Sequence, residues 1–400
     1  MLEGFTELEA IKREELWRRL KVPSETVKLT ASFRLDKPIS ESLFSRYKEV
    51  LDQLLDCAWT KGITSFKRLK AEKYRELREK YPDLPSHYLY TACQMACSIY
   101  RSFRKLKRRG LVKAEKPTFR RQVVMLDDHL FSLDLESWEA SIATEKGRVR
   151  LKLLHGTYHE KFRGMKVGQA WLVKAGDGYY LKVVFSKTVE TVEQNGRAIA
   201  VDVNENNVAF GSAEHVRNIE TEERAIRTAY FLKRRRLQSK PRLNEKPLLA
   251  KCRGRERRRI EDIYHKVANE IVVEAVEAGA SIVVLENIRD IRKRIRYSKA
   301  LNGRLNRWGF RRFQKILEYK ARVAGLRVAY VDPRGTSSLC PTCGEKLSPN
   351  GYRKVRCPKC GLEEDRDAVA VRNLLRRYQM DVGSSPVHPE GPPMKGGGKT

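Results

Sequence analysis

The chain has 400 residues, with 82 Lys or Arg against 50 Asp or Glu, a formal net charge of +32, and 41% hydrophobic residues. That apolar fraction supports a sizeable core and excludes whole-chain disorder, while eight Cys are too sparse for a disulfide-stapled scaffold. The cationic surplus points to a polyanionic partner. Nucleic acid fits better than an acidic membrane, because the basic residues are spread along the chain and not gathered on one amphipathic segment. No run of about 18 apolar residues marks a membrane span. The start MLEGFTELEAIKREELWRRL lacks the apolar stretch of a secretory signal, so a cytoplasmic protein in a reducing compartment, without a membrane partner, is expected.

Residues 6–20 read as a short helix, with Thr6 and Glu9 in capping-box spacing, within an N-terminal extension of residues 1–25. Val27 to Phe33 alternates with period two, as a half-buried strand does. Residues 40–110 turn helical, with Leu43, Tyr47, Val50, Leu51 and Leu54 at three-and-four spacing and a basic end stopped by Gly110. Strands return in VVML, FSLDL, VRLKLL, GQAWLVKA and GYYLKVVF, with a turn at Asp177-Gly178. The simplest account is a small β domain built from residues 26–39 and 111–190, with the helices of 40–110 inserted into it.

From Arg197 the pattern changes. RAIAVDVN and VAFGS read as hairpin strands around Asn204 to Asn207, since Asn tolerates positive φ. A basic helical region from about Glu222 to Ala278 follows, interrupted near SKPRLNEKP. Next come the buried strand SIVVLENI, a basic loop, a helix from Trp308 to Ala324 and the strand LRVAYVDP. Strands alternating with long helices predict a mixed α/β sheet for 197–335 and 364–380, so the whole chain is α+β and multidomain. Residues 381–400, rich in Pro and Gly, read as a disordered tail.

Cys340-Pro-Thr-Cys343 and Cys357-Pro-Lys-Cys360 form two C-x-x-C knuckles with thirteen residues between them. They present four thiolates to one tetrahedral Zn²⁺, with Gly344 and Gly361 closing the turns, in a ribbon spanning 336–363. A redox pair or a disulfide would use one knuckle and leave the duplication unexplained. With four protein ligands no place remains for a catalytic water, so the zinc is structural. Cys93 and Cys97, one helical turn apart, read as core residues, as do Cys57 and Cys252. His265 reads as structural or as a polar neighbour of bound nucleic acid. Three carboxylates stand out. Asp202 and Glu286 each end an apolar strand, and Asp367 opens the amphipathic helix DAVAVRNLLRRY. Singly they suit a strand-end turn, a surface position and a helix cap. Together they suit a site that clamps two divalent ions about 4 Å apart around a phosphodiester.

The ordered set AVDVNENN, VVLENI, LNRWGFRRFQKILEYKA, TSSLCPTCG, CPKCG and DRDAVAVRNL resembles the transposon-encoded TnpB family, related to the type V CRISPR effectors. The motifs cover about residues 197–380; over 20–190 the likeness lies in domain order. The resemblance implies an RNA-guided DNA endonuclease. It would have a wedge-like β-barrel, a helical recognition insert over 40–110, and a RuvC-type, RNase H-like nuclease domain into which the zinc ribbon is inserted. It assigns Asp202, Glu286 and Asp367 as catalytic ligands of two Mg²⁺ ions, with Asp365 as the other candidate for the third position. It also implies a guide RNA that pairs with a double-stranded DNA target, no small-molecule cofactor, and a protein that reads a short flanking motif. The family often has Asp-x-Asn-Ala-Ala in its third motif; here Val369 replaces that Asn and Asn373 is kept. A non-cutting RNA-guided repressor and a transposon accessory protein are the alternative readings.

Overall fold

The computed structural model describes residues 24–176, 178–193, 195–239, 244–288 and 297–384. The expected helix over 6–20, Asp177 of the expected turn, parts of the two basic loops and residues 385–400 lie outside them. Within these bounds the chain is α+β and forms two compact units, one of residues 26–188 and one containing 189 onward.

The first unit is built on a seven-stranded sheet. Its strands are β1 (Ser24–Leu35), β2 (Val123–Leu126), β3 (Phe131–Asp134), β4 (Glu139–Thr144), β5 (Gly147–Leu154), β6 (Lys166–Ala175) and β7 (Gly178–Glu190), in the order β2-β6-β7-β1-β5-β4-β3. Alternation decides which face is buried: Val27, Ala31, Phe33 and Leu35 of β1 are inside, and the residues between them are less so. Between β1 and β2 run α1 (Glu41–Thr60), α2 (Phe66–Lys80) and α3 (Ser86–Arg108), and a short α4 (Thr157–Glu160) follows β5. The apolar stripe of α1 buries Leu43, Tyr47, Val50, Leu51 and Leu54. These side chains share one continuous core with Phe33, Tyr88, Leu172 and Phe185, so the helices are packed into the sheet's own interior. Cys57, Cys93 and Cys97 are free and buried, and burial pushes the Cys93 thiol up to about 12. Among the described residues neither Cys93 nor Cys97 belongs to a group of three or more potential metal ligands, which leaves both as packing residues.

The second unit contains a five-stranded sheet of β8 (Ala198–Val203), β9 (Asn207–Gly211), β10 (Val216–Glu220), β11 (Ile282–Glu286) and β12 (Arg327–Val331), in the order β10-β9-β8-β11-β12. β9 is antiparallel to both neighbours, whereas β8, β11 and β12 are parallel. The connections are helical: α5 (Glu223–Gln238), α6 (Glu245–Glu277), α7 (Lys299–Arg307) and α8 (Phe310–Val323), with α9 (Arg366–Ser384) closing the fold. Both sheet faces are covered. Ile199, Val201, Val283 and Leu285 pack with α6 and α8, while Ala200, Ala209 and Val284 pack with Val371, Leu374 and Leu375 of α9. Each of the Val, Leu and Ile side chains among them contributes roughly 1.5–3 kcal/mol on burial. No helix among the described residues is long and apolar enough to cross a membrane.

Two expectations need correction. The basic loop before Trp308 contains α7, whose N-cap Ser298 accepts a hydrogen bond from the Leu301 N–H. The tail does not begin at 381, because α9 runs on to Ser384.

Candidate functional site

Parity and register bring the acids together. Val201 pairs with Leu285 across the parallel strands β8 and β11, so Asp202, next to last in β8, and Glu286, last in β11, stand side by side one residue on. Val201 and Leu285 face α6 and α8; Asp202 and Glu286 therefore face the opposite side, the side covered by α9. Asp367 lies in the first turn of α9 on that side. All three line one cleft of about 1110 Å³, together with Arg224, Arg304, Arg334, Arg353 and Arg366. Their exposures are 7%, 8% and 6%, which rules out the surface reading for Glu286.

Each carboxylate is held by neutral donors that sequence spacing does not reveal. Asn204 Nδ2 donates to Asp202 (2.7 Å), and Thr336 Oγ1 donates to Glu286 (3.1 Å). Asn207 Nδ2 donates to Asp367 (2.7 Å), joined by Asn218 at 3.4 Å. Arg353, from the ribbon, makes an ion pair with Asp367 and also donates to Asn207 Oδ1 (3.1 Å). Asn373 donates to the carbonyls of Thr336 and Leu339, 2.7 Å each, and so fixes the loop that carries Thr336. Asp365 does something else: its Oδ1 accepts the backbone N–H of Asp367 (2.8 Å), capping the start of α9. The cap role considered for Asp367 thus belongs to Asp365.

Asp202 and Glu286 have no ion-pair partner among the described residues. Burial, and then the neighbouring Glu286 carboxylate, push Asp202 up to about 7; burial likewise raises Glu286 to about 7. Two buried carboxylates that resist ionisation side by side form a hard-oxygen donor set suited to a divalent ion such as Mg²⁺. The sign of the linkage follows. Between the ordinary carboxylate range and pH 7 the folded chain keeps protons that the unfolded chain releases, so stability falls as pH rises through about 7. Metal-free wild-type protein should therefore melt several degrees higher at pH 5.5 than at pH 8, and Asp202→Asn should flatten the profile. A wild-type profile no steeper than that of Asp202→Asn, measured by calorimetry, would contradict this.

The ribbon is a small sheet of β13 (Ser348–Pro349), β14 (Lys354–Arg356) and β15 (Glu363–Asp365). The Sγ atoms of Cys340 and Cys360 lie 3.5 Å apart and those of Cys343 and Cys357 3.4 Å apart, too far for disulfides. All four sulfurs fall within 4.8 Å of one another, a cluster that fits one zinc. Gly344 and Gly361, at φ +78° and +76°, make the tight knuckle turns that a side chain would strain.

Of the expected basic stretches, Arg234 is spent on Glu256, while Arg235, Arg236 and Arg253 remain exposed. His265 shares a hydrogen bond with the Tyr319 hydroxyl (3.2 Å), a structural contact.

Comparison with known proteins places the chain among relatives. Residues 310–374 match a family described as Cas12f1-like, TNB domain, and residues 43–142 match the uncharacterized protein MJ0013 family. The CRISPR-associated endodeoxyribonuclease Cas12f1 of Sulfoacidibacillus thermotolerans is 34% identical over 115 residues, 28% of this chain and 25% of its own. TnpB-like protein MJ1635 of Methanocaldococcus jannaschii is 24% identical over 349 residues, 82% of this chain and 80% of its own. TnpB-like protein MJ0751 of the same organism is 35% identical over 258 residues, 59% of this chain and 88% of its own. With that extent of identity and coverage, the chain belongs to the TnpB family.

Proposed function

We propose that this protein is an RNA-guided, Mg²⁺-dependent DNA endonuclease whose active site is formed by Asp202, Glu286 and Asp367. The observation that carries the reading is the convergence of these three buried carboxylates in one arginine-lined cleft. The sheet order, with one antiparallel strand beside three parallel ones, supports a RuvC-type, RNase H-like domain over 197–335 and 364–380. We read the seven-stranded unit as the wedge-like β domain (26–39 and 111–190), α1–α3 as its recognition insert (40–110), and 336–363 as the zinc ribbon.

Two divalent ions, when bound, supply a nucleophile from water and neutralise the charge that develops on the leaving oxygen. The chain's own groups do the rest. Asn204 and Thr336 orient Asp202 and Glu286, so neither carboxylate pays a large rotamer cost on meeting an ion. Arg353 holds Asp367 in place and offers its guanidinium to the scissile phosphate. Arg224, Arg304, Arg334 and Arg366 neutralise flanking phosphates. A smaller cavity of about 340 Å³, lined by Arg253, Arg257, Arg307 and Arg312, and the exposed arginines of α5 and α6 extend the cationic surface along the guide and its target.

The test is reconstitution. Purified protein should carry a discrete RNA, and the complex should cut a DNA target matched to that RNA with Mg²⁺. Cutting should stop in EDTA and return on adding Mg²⁺. A protein that copurifies with no defined RNA, and whose DNA selectivity RNA does not change, would defeat the guided reading.

A further inference from the structure

A second cluster of metal-ligating side chains lies in the first unit, far along the chain from the acids. His87 is the second residue of α3, Asp127 sits just after β2, and His129 lies two residues before β3. Asp127 Oδ2 is 2.9 Å from His87 Nδ1, and the two imidazoles stack with centroids 3.9 Å apart and planes 14° apart. One donor atom from each of the three residues falls within 4.8 Å of the others.

Several features make this more than a chance gathering. The turn is preorganised: Asp127 Oδ1 accepts the backbone N–H groups of His129 and Leu130, both at 3.2 Å, which leaves Oδ2 pointing at His87. Asp128 Oδ1 lies 3.2 Å from His129 Nδ1. A carboxylate on that nitrogen fixes the tautomer whose Nε2 lone pair is available, the relay that commonly supports a metal-bound histidine. The side chains are 33%, 22% and 62% exposed, so the cluster is open to solvent and is not sealed core.

We propose that His87, Asp127 and His129 form a second divalent metal site, of the Zn²⁺, Co²⁺ or Ni²⁺ class, distinct from the four-cysteine cluster. Two nitrogens and one carboxylate oxygen suit these borderline ions. The ion takes the place of the direct contact between His87 Nδ1 and Asp127 Oδ2. A tetrahedral ion with bonds of roughly 2.1 Å holds its donors about 3.4 Å apart, so His87 Nδ1 and Asp127 Oδ2, now 2.9 Å apart, must part slightly, while the His129 nitrogen, within 4.8 Å of both, settles at that spacing. The nearly parallel rings require His129 to tilt out of the stack, and its exposure leaves room for that movement. Water fills the fourth position. The site staples the N-terminus of α3 to the turn between β2 and β3, so metal occupancy stabilises the first unit.

The full-length protein, saturated with Zn²⁺ beside a large excess of Mg²⁺ that keeps Zn²⁺ from the acidic cleft, and freed of excess by gel filtration, should contain two zinc ions per chain. His129→Ala and Asp127→Asn should each contain one. Asp127→Asn keeps an Oδ1 acceptor for both backbone N–H groups, so loss of zinc there cannot be blamed on a collapsed turn. Co²⁺ gives an independent readout. The first equivalent should show intense thiolate-to-cobalt charge transfer, and the second only weak visible bands without it; both variants should lack the second. At a hundredfold excess over Kd, Zn²⁺ should raise the wild-type melting midpoint by about 5 °C beyond the ribbon-saturated value, and should leave the variants unmoved. One zinc per chain in the wild type, or two in Asp127→Asn, would overturn the site.

Discussion

Asp202→Ala and Glu286→Ala should each lower DNA cleavage by roughly 10³-fold or more while guide and target binding stay close to wild type. Both carboxylates face the cleft beneath α9, and among the described residues their side-chain hydrogen bonds go to Asn204 and Thr336, so on the proposed reading their removal takes away ion ligands and leaves the cleft arginines. Asp367→Ala should match them. Asp365→Ala should keep most of the activity, because that residue caps α9 and lies outside the cleft lining; it should cost about 1 kcal/mol of stability. The measurement is cleavage of a matched target by each reconstituted complex, beside a binding assay on the same preparations. Cutting that survives Asp202→Ala would place the active site elsewhere. Tight binding without cutting by the wild type, at any Mg²⁺ concentration, would favour the repressor reading.

Cys340→Ser or Cys357→Ser should remove the ribbon's zinc and open residues 336–363 to protease. Binding of a structural zinc by four thiolates is worth on the order of 10–16 kcal/mol in small zinc domains, far more than three strands of two or three residues can supply. The damage should spread, because β15 leads directly into α9 and the Arg366 N–H bonds the Arg353 carbonyl at 2.8 Å. Cleavage should fall with the zinc content, while the first unit keeps its own core. Metal analysis combined with limited proteolysis checks this. A folded, active preparation without zinc in the ribbon would remove the metal from the account.

Local chemistry made part of this legible in advance. Period-two alternation marks β1, the apolar runs mark β8 and β11, and the acids stand out because a carboxylate at the end of such a run is costly without a role. What escaped the sequence was of two kinds. β4 has the small, mixed sequence EASIAT, and β10, VRNIE, is an edge strand with no buried residue, so neither carries a strong pattern. The partners of Asp367 escaped for another reason. Asn207 reads as a turn residue, yet it begins β9 and reaches Asp367, 160 positions on; Arg353 reads as one more ribbon charge. Such contacts are made by topology, and no spacing along the chain encodes them.

The position that departs from the common third motif has its own explanation. Val369 is fully buried among Cys340, Leu347, Val355 and Cys357, whereas Asp367, two residues earlier and about 200° around the helix, faces the cleft. Valine at 369 therefore belongs to the interior around the cysteines and takes nothing from the proposed ion ligands. Two residues later Val371 joins the sheet's interior instead. α9 is thus a shared wall between two rooms. A chimera that imports a relative's ribbon would need to bring the residue at 369 with it, and an otherwise well-folded graft that kept the wrong partner there would turn the helix and carry Asp367 away from its neighbours.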